Sequence, residues 1–104
     1  MDTLNDKAIA GEILNQLGGR RFIAMTGAKG FFCDKNSIVF SLPGNITKDR
    51  INRVKITLNI MDTYDIVFYS IRGVNIRMVK ELSGVYNDGL KEAISYNTGL
   101  VVEL

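Results

Sequence analysis

Histidine is absent from the 104 residues, and a whole set of chemistries goes with it. No imidazole can act as general acid or base, complete a nucleophilic triad or bind a metal. Cysteine occurs once, at Cys33, which excludes an intramolecular disulfide and a cysteine-built zinc site and points to a reducing compartment. With no imidazole to activate it, Cys33 reads as a buried, inert thiol. No apolar run approaches the length needed to span a bilayer, so no membrane partner is expected. The acidic start, Met1-Asp2, lacks the basic region that opens a signal peptide, and the expected location is the cytoplasm. Internal repeats and low-complexity tracts are also missing. A formal net charge of +2 is too small to name a partner.

What is there reads as one domain over residues 1–104, large enough for a single core and too small for two. An apolar share of 46% and a charged share of 23% are those of an ordinary globular protein. The stretch from Arg53 to Arg72 organises the rest. Val54, Ile56, Leu58 and Ile60 occupy every second position, with Lys55, Thr57 and Asn59 between them, which is the period of a half-buried strand. Met61-Asp62-Thr63 supplies a reversal, and Tyr64 to Ile71 returns with apolar residues at both parities, as in a strand covered on both faces. An even tip loop would set Leu58 opposite Val67, Ile56 opposite Tyr69 and Val54 opposite Ile71, leaving Arg53, Lys55, Thr57 and Asn59 on a mixed face beside Ile66, Phe68 and Ser70. An odd loop would reshuffle the pairs.

Before that hairpin, Leu4 to Leu17 predicts a helix: Thr3 and Asp6 resemble a capping box, Ile9, Ala10, Ile13, Leu14 and Leu17 form one stripe, and Gly18-Gly19 is a stop. Gly11 within the stripe, unfavourable by about 1 kcal/mol relative to alanine, suggests close approach of another backbone. Arg21 to Thr26 reads as a strand, Gly27-Ala28-Lys29-Gly30 as a hairpin turn and Phe31 to Cys33 as its return. Asp34-Lys35-Asn36 then turns into an alternating run, Ile38 to Leu42. Pro43-Gly44 breaks the pattern before a polar, basic connector, Asn45 to Asn52. Val74 to Leu82 fits a strand or a helical face, and its flanking Gly73 and Gly84 favour the strand. A second helix is expected from about Asn87 to Asn97, capped by Asn87 or Asp88 and stopped at Gly99, with Leu100 to Leu104 as a docking tail. The resulting fold class is α+β: a mostly antiparallel sheet of about five to six strands with an N-terminal and a C-terminal helix.

Motifs that carry chemistry are few. Gly27 to Gly30 lacks the spacing of a phosphate-binding loop. Asp62 and Asp65 are spaced to hold a divalent cation or share a proton, but turn chemistry and a strand end account for them as well. An enzyme would have to be built from Asp62, Asp65, Glu81 and a lysine, so the expectation is a non-catalytic protein with no cofactor and no metal. Charge is distributed less evenly than its total. From Lys48 to Lys80 seven basic residues stand against three acidic ones (7 − 3 = +4), and from Glu81 onward one lysine stands against four acids (1 − 4 = −3). Lys48, Arg50, Arg53 and Lys55 with Phe68 form the candidate contact surface, since phosphates need cations and exposed bases stack on aromatics. A solvated strand surface explains the same charges, and the two regions of opposite sign could also meet between subunits.

The strings Gly19-Arg20-Arg21-Phe22-Ile23-Ala24-Met25-Thr26-Gly27-Ala28-Lys29, Lys55-Ile56-Thr57-Leu58-Asn59, Met61-Asp62-Thr63-Tyr64-Asp65, Gly84-Val85-Tyr86 and Thr98-Gly99-Leu100 resemble a family of small uncharacterised proteins of bacteriophages and mobile elements. The resemblance implies a setting in a bacterial host cell and no particular activity, cofactor or site residue. Two functions are therefore expected. One is an accessory module binding a nucleic acid or a protein partner through the mixed basic and aromatic sheet face; the other is a protein-interaction or self-assembling module with no nucleic-acid role.

Overall fold

In the computed structural model, which describes residues 3–100, the chain begins with two helices set end to end. Helix α1 spans Thr3–Leu17 and α2 spans Arg20–Thr26. Gly18 and Gly19 separate them with φ of 120° and 59°, values that a side chain would disfavour. The stripe of α1 is core, with Ile13 and Leu17 fully buried. Among the described residues nothing lies within 4 Å of a Cβ added at Gly11, so none of them brings a second backbone close to it. The side chains of the Thr3–Asp6 capping box, and the tail beyond Leu100, lie outside the described residues.

Arg20–Thr26 corrects the strand expected there. Seven residues are too few for periodicity to tell helix from strand, and the local chemistry decides for helix. Phe22 and Thr26, four apart, face the core together; the Thr26 hydroxyl donates to the Phe22 carbonyl at 2.7 Å and accepts the Ala28 N–H at 3.2 Å. Gly27 then closes the helix in the left-handed conformation. Gly27 to Gly30 is accordingly a helix stop running into a strand and not a hairpin turn, with Gly30 at φ 67° in the bulge that shifts the first strand's register.

Five strands follow: β1 Lys29–Asp34, β2 Ser37–Ser41, β3 Arg53–Leu58, β4 Tyr64–Arg72 and β5 Asn75–Val85. They form one antiparallel sheet in the order of the chain. A short 3-10 turn, Asn87–Gly89, leads into α3, Leu90–Thr98. Gly89 occupies its N-cap, and neither Asn87 nor Asp88 caps it. Gly99, at φ 77°, ends it as expected. The end of α3 repeats that of α2: the Thr98 hydroxyl donates to the Ile94 carbonyl at 2.6 Å and accepts the Leu100 N–H at 3.2 Å. The sheet and the helices at its two chain ends make an α+β domain. No helix of the described residues is long and apolar enough to cross a membrane.

All three helices contribute to one core, on one face of the sheet. Ile13, Leu17, Phe22, Leu90 and Ile94 meet Phe40, Val54, Ile56, Ile66 and Phe68, every one of them buried. Phe40 sits among rings, edge-on to Phe22 at 5.6 Å and tilted against Phe31 at 5.2 Å. Each fully buried side chain of this size contributes about 1.5–3 kcal/mol by leaving water.

Candidate functional site

Which side chains leave the core is decided by the hairpin tip. Leu58 pairs with Tyr64, so residues 59–63 form an odd loop. Asn59 builds it: its side-chain oxygen accepts the N–H groups of Met61 (2.8 Å) and Thr63 (3.2 Å), and its amide donates to Asp65 at 3.1 Å. Val54 consequently faces Phe68 and Ile56 faces Ile66, a match of core with core that replaces the pairing expected for an even loop. Ile60, expected on the apolar face, is fully exposed at the tip.

That register puts Phe68 into the core at zero exposure, so it cannot belong to a contact surface. Its neighbour Tyr69 stands on the open side instead. On the face without helices, Ser41, Arg53, Tyr69 and Met78 form one row across four strands, and Phe32, Val39, Lys55, Val67 and Glu81 form the next across five. Phe32 is 52% exposed and Tyr69 is half-buried, as are Arg53 and Lys55. Two aromatic rings therefore share a face with two cations. Lys55 reaches Asp34 at 3.7 Å, a long contact between a half-buried lysine and an exposed carboxylate that is worth little and is screened by salt. The segment of opposite charge folds back onto this face, since Val67 alone separates Lys55 from Glu81 in their row.

The other two expected cations stand elsewhere. Lys48 opens a 3-10 turn, Lys48–Arg50, in the connector between β2 and β3 and lies against α3. Its ammonium donates to the Tyr96 carbonyl at 3.0 Å and sits 5.1 Å from the centre of the Tyr96 ring. Arg50 lines an open cleft of about 700 Å³ at the end of the sheet, with Thr47, Asn52, Ser70 and Arg72. A smaller recess of about 240 Å³ shares Arg50, Ser70 and Arg72 and adds Arg77. The four basic residues expected to act together are thus split between the open face, a helix contact and this cleft. Arg72 reaches the cleft, and Arg77 the recess beside it, through strand pairing, which local sequence does not display; Phe32 faces outward because it alternates with Phe31 and Cys33.

Acidic and thiol chemistry finds no assembled site here. The Asp65 carboxylate accepts from Asn59 and from the Gly84 N–H at 3.3 Å, while Asp62 occupies a left-handed turn position at φ 61°. Among the described residues no group of three or more carboxylates and thiols is placed to hold a metal ion. Cys33 is half-buried beside Phe31 and Phe32 and not sealed in the core. Tyr64 has its phenol pushed above the usual range, chiefly by burial, with Glu12 and Asp62 adding to the shift and a Gln16 contact opposing it. No protein family, no curated protein and no solved structure matches the chain.

Proposed function

We propose that this protein is a non-catalytic accessory module that binds single-stranded nucleic acid across the uncovered face of its sheet. The observation that carries the reading is the juxtaposition of Arg53 and Lys55 with Tyr69 and Phe32 on a face to which none of the described helices contributes. Cations two residues apart on β3 suit successive phosphates, and rings on β1 and β4 offer π-faces on which splayed bases stack. Single strands are favoured over duplex, because stacking needs bases that are already unpaired. The resemblance to bacteriophage and mobile-element proteins suits an accessory role of this kind in a bacterial cytoplasm.

One observation favours a protein partner or self-assembly instead. Val74, Ile76 and Met78 are 95%, 68% and 55% exposed, in the turn after β4 and on the first half of the long edge strand β5. Anisotropy titrations of labelled single-stranded DNA, RNA and duplex, comparing the wild type with Arg53→Gln/Lys55→Gln, separate the two readings. The nucleic-acid reading predicts tighter binding to single strands and weakening in the double variant. Concentration-dependent association without binding to any strand supports the other.

A further inference from the structure

We propose that the cleft at the end of the sheet is a second binding site, one for a phosphate group, with Arg50 and Arg72 as its cationic ligands. It lies between the β2–β3 connector and the end of β4 and is about 700 Å³ in volume, within the range of small-ligand sites. Arg50 and Arg72 line both it and the adjoining recess that contains Arg77. Among the described residues none of the three guanidiniums is paired with a carboxylate: that of Arg77 donates to the Asp49 carbonyl at 3.2 Å, and those of Arg50 and Arg72 make no hydrogen bond. Gathered like charges repel, so the arrangement favours an anion between them. Arginine's planar fork matches the oxygens of a phosphate in a bidentate manner.

The walls of the cleft are held in place by their own bonds. The Asn52 side chain clamps the Ile71 backbone, donating to its carbonyl and accepting its N–H, both at 2.8 Å. The Thr47 hydroxyl donates to the Ile51 carbonyl at 2.6 Å across the turn that carries Arg50. Gly44 packs tightly against Asn52: an added Cβ would meet the Asn52 Cβ at 3.0 Å, and the neighbour would have to give way by a few tenths of an ångström. Asp49 and Arg50 are both left-handed, at φ 54° and 56°, an unfavourable state for consecutive residues with side chains. Backbone held in such a state by its surroundings clusters at ligand sites. Here it belongs to the turn that presents Arg50 to the cleft.

The site stands apart from the open face, because its residues share no side chain with the Arg53–Lys55 surface. Its phosphate could be free or part of a strand. The test is a titration of the nitrogen-15-labelled protein with inorganic phosphate, adenosine monophosphate and an oligothymidylate lacking terminal phosphates, at low and constant ionic strength. Saturable shifts at the amides of Asn52, Ile71 and Arg72 are expected. Arg50→Gln/Arg72→Gln should weaken them by at least about tenfold per arginine, the usual worth of a charge-assisted hydrogen bond. Arg20→Gln/Arg21→Gln, an equal reduction of charge on α2, should leave them intact, and Arg53→Gln/Lys55→Gln should leave intact those produced by inorganic phosphate. Saturation by phosphate or the mononucleotide identifies a free ligand; saturation by the oligothymidylate alone identifies a strand. No saturable shift at these amides with any probe, or equal weakening by all three double variants, overturns the proposal. Failure of Arg53→Gln/Lys55→Gln to affect strand binding would remove the open-face reading and leave this site standing.

Discussion

Arg53 and Tyr69 stand directly opposite each other on β3 and β4, on the face of the sheet away from the core that the three described helices build. One residue on in β3 and one back in β4, Val54 and Phe68 are paired on the opposite side, in the core. A single register thus separates the residues that hold the fold from those available to a partner.

Tyr69→Ala and Phe68→Ala should therefore fail in different ways. The Tyr69 change is expected to weaken single-strand binding by about 1–3 kcal/mol, the worth of one stacked base, with a small effect on stability. The Phe68 change leaves a core cavity and should cost about 3–5 kcal/mol in denaturant unfolding. Binding at a protein concentration corrected for the folded fraction should then be close to wild type.

Thr98→Val preserves shape but removes the hydroxyl that accepts the Leu100 N–H at the end of α3. The buried donor is left unmatched, and the expected destabilisation is about 1–3 kcal/mol, measured by urea unfolding. Thr26→Val tests the same arrangement at the end of α2, where Ala28 is the donor. Similar destabilisation at both sites would confirm that the two helix ends use one device.

Tyr64 gives the domain an alkaline limit. Its folded-state pKa is raised, mainly by burial, so the unfolded chain releases this proton first as pH climbs. Stability from this group is fully present below the unfolded tyrosine pKa of about 10 and falls as pH rises towards the folded value. Urea midpoints of the wild type should drop above pH about 10, and Tyr64→Phe should flatten that part of the profile.

The sheet was legible in the chain wherever alternation extended over several residues. β3 shows its period from Val54 to Leu58, and the glycines around Val74–Leu82 mark the strand that became β5; Tyr64 to Ile71, with apolar residues at both parities, reads as a strand covered on both faces, whereas β4 is buried only at alternate residues. Helix ends at Gly18 and Gly99 could be read from the same residue type. Arg20–Thr26 could not, because a helix of seven residues with Phe22, Ile23 and Met25 has the composition of a strand, and the Thr26 hydroxyl bond that closes it is visible only once the helix has formed. The proposed contact surface was half legible. Arg53 and Lys55 follow from parity within one strand, whereas the choice of Tyr69 over Phe68 depended on an odd loop closed by Asn59. Arg50, Arg72 and Arg77 are up to 27 positions apart (77 − 50) and converge only through the pairing of β4 with β5 and the fold of the connector.

The salt dependence of strand binding tests the open-face account most directly. Removing one cation that neutralises a phosphate should reduce the slope of log affinity against log salt by about 0.7 for single strands. For Arg53→Gln/Lys55→Gln the account predicts a slope shallower than that of the wild type by about 1.4, with an unchanged unfolding midpoint because surface substitutions cost less than about 0.5 kcal/mol. No binding by the wild type at low salt, or the same slope in the variant, would contradict it.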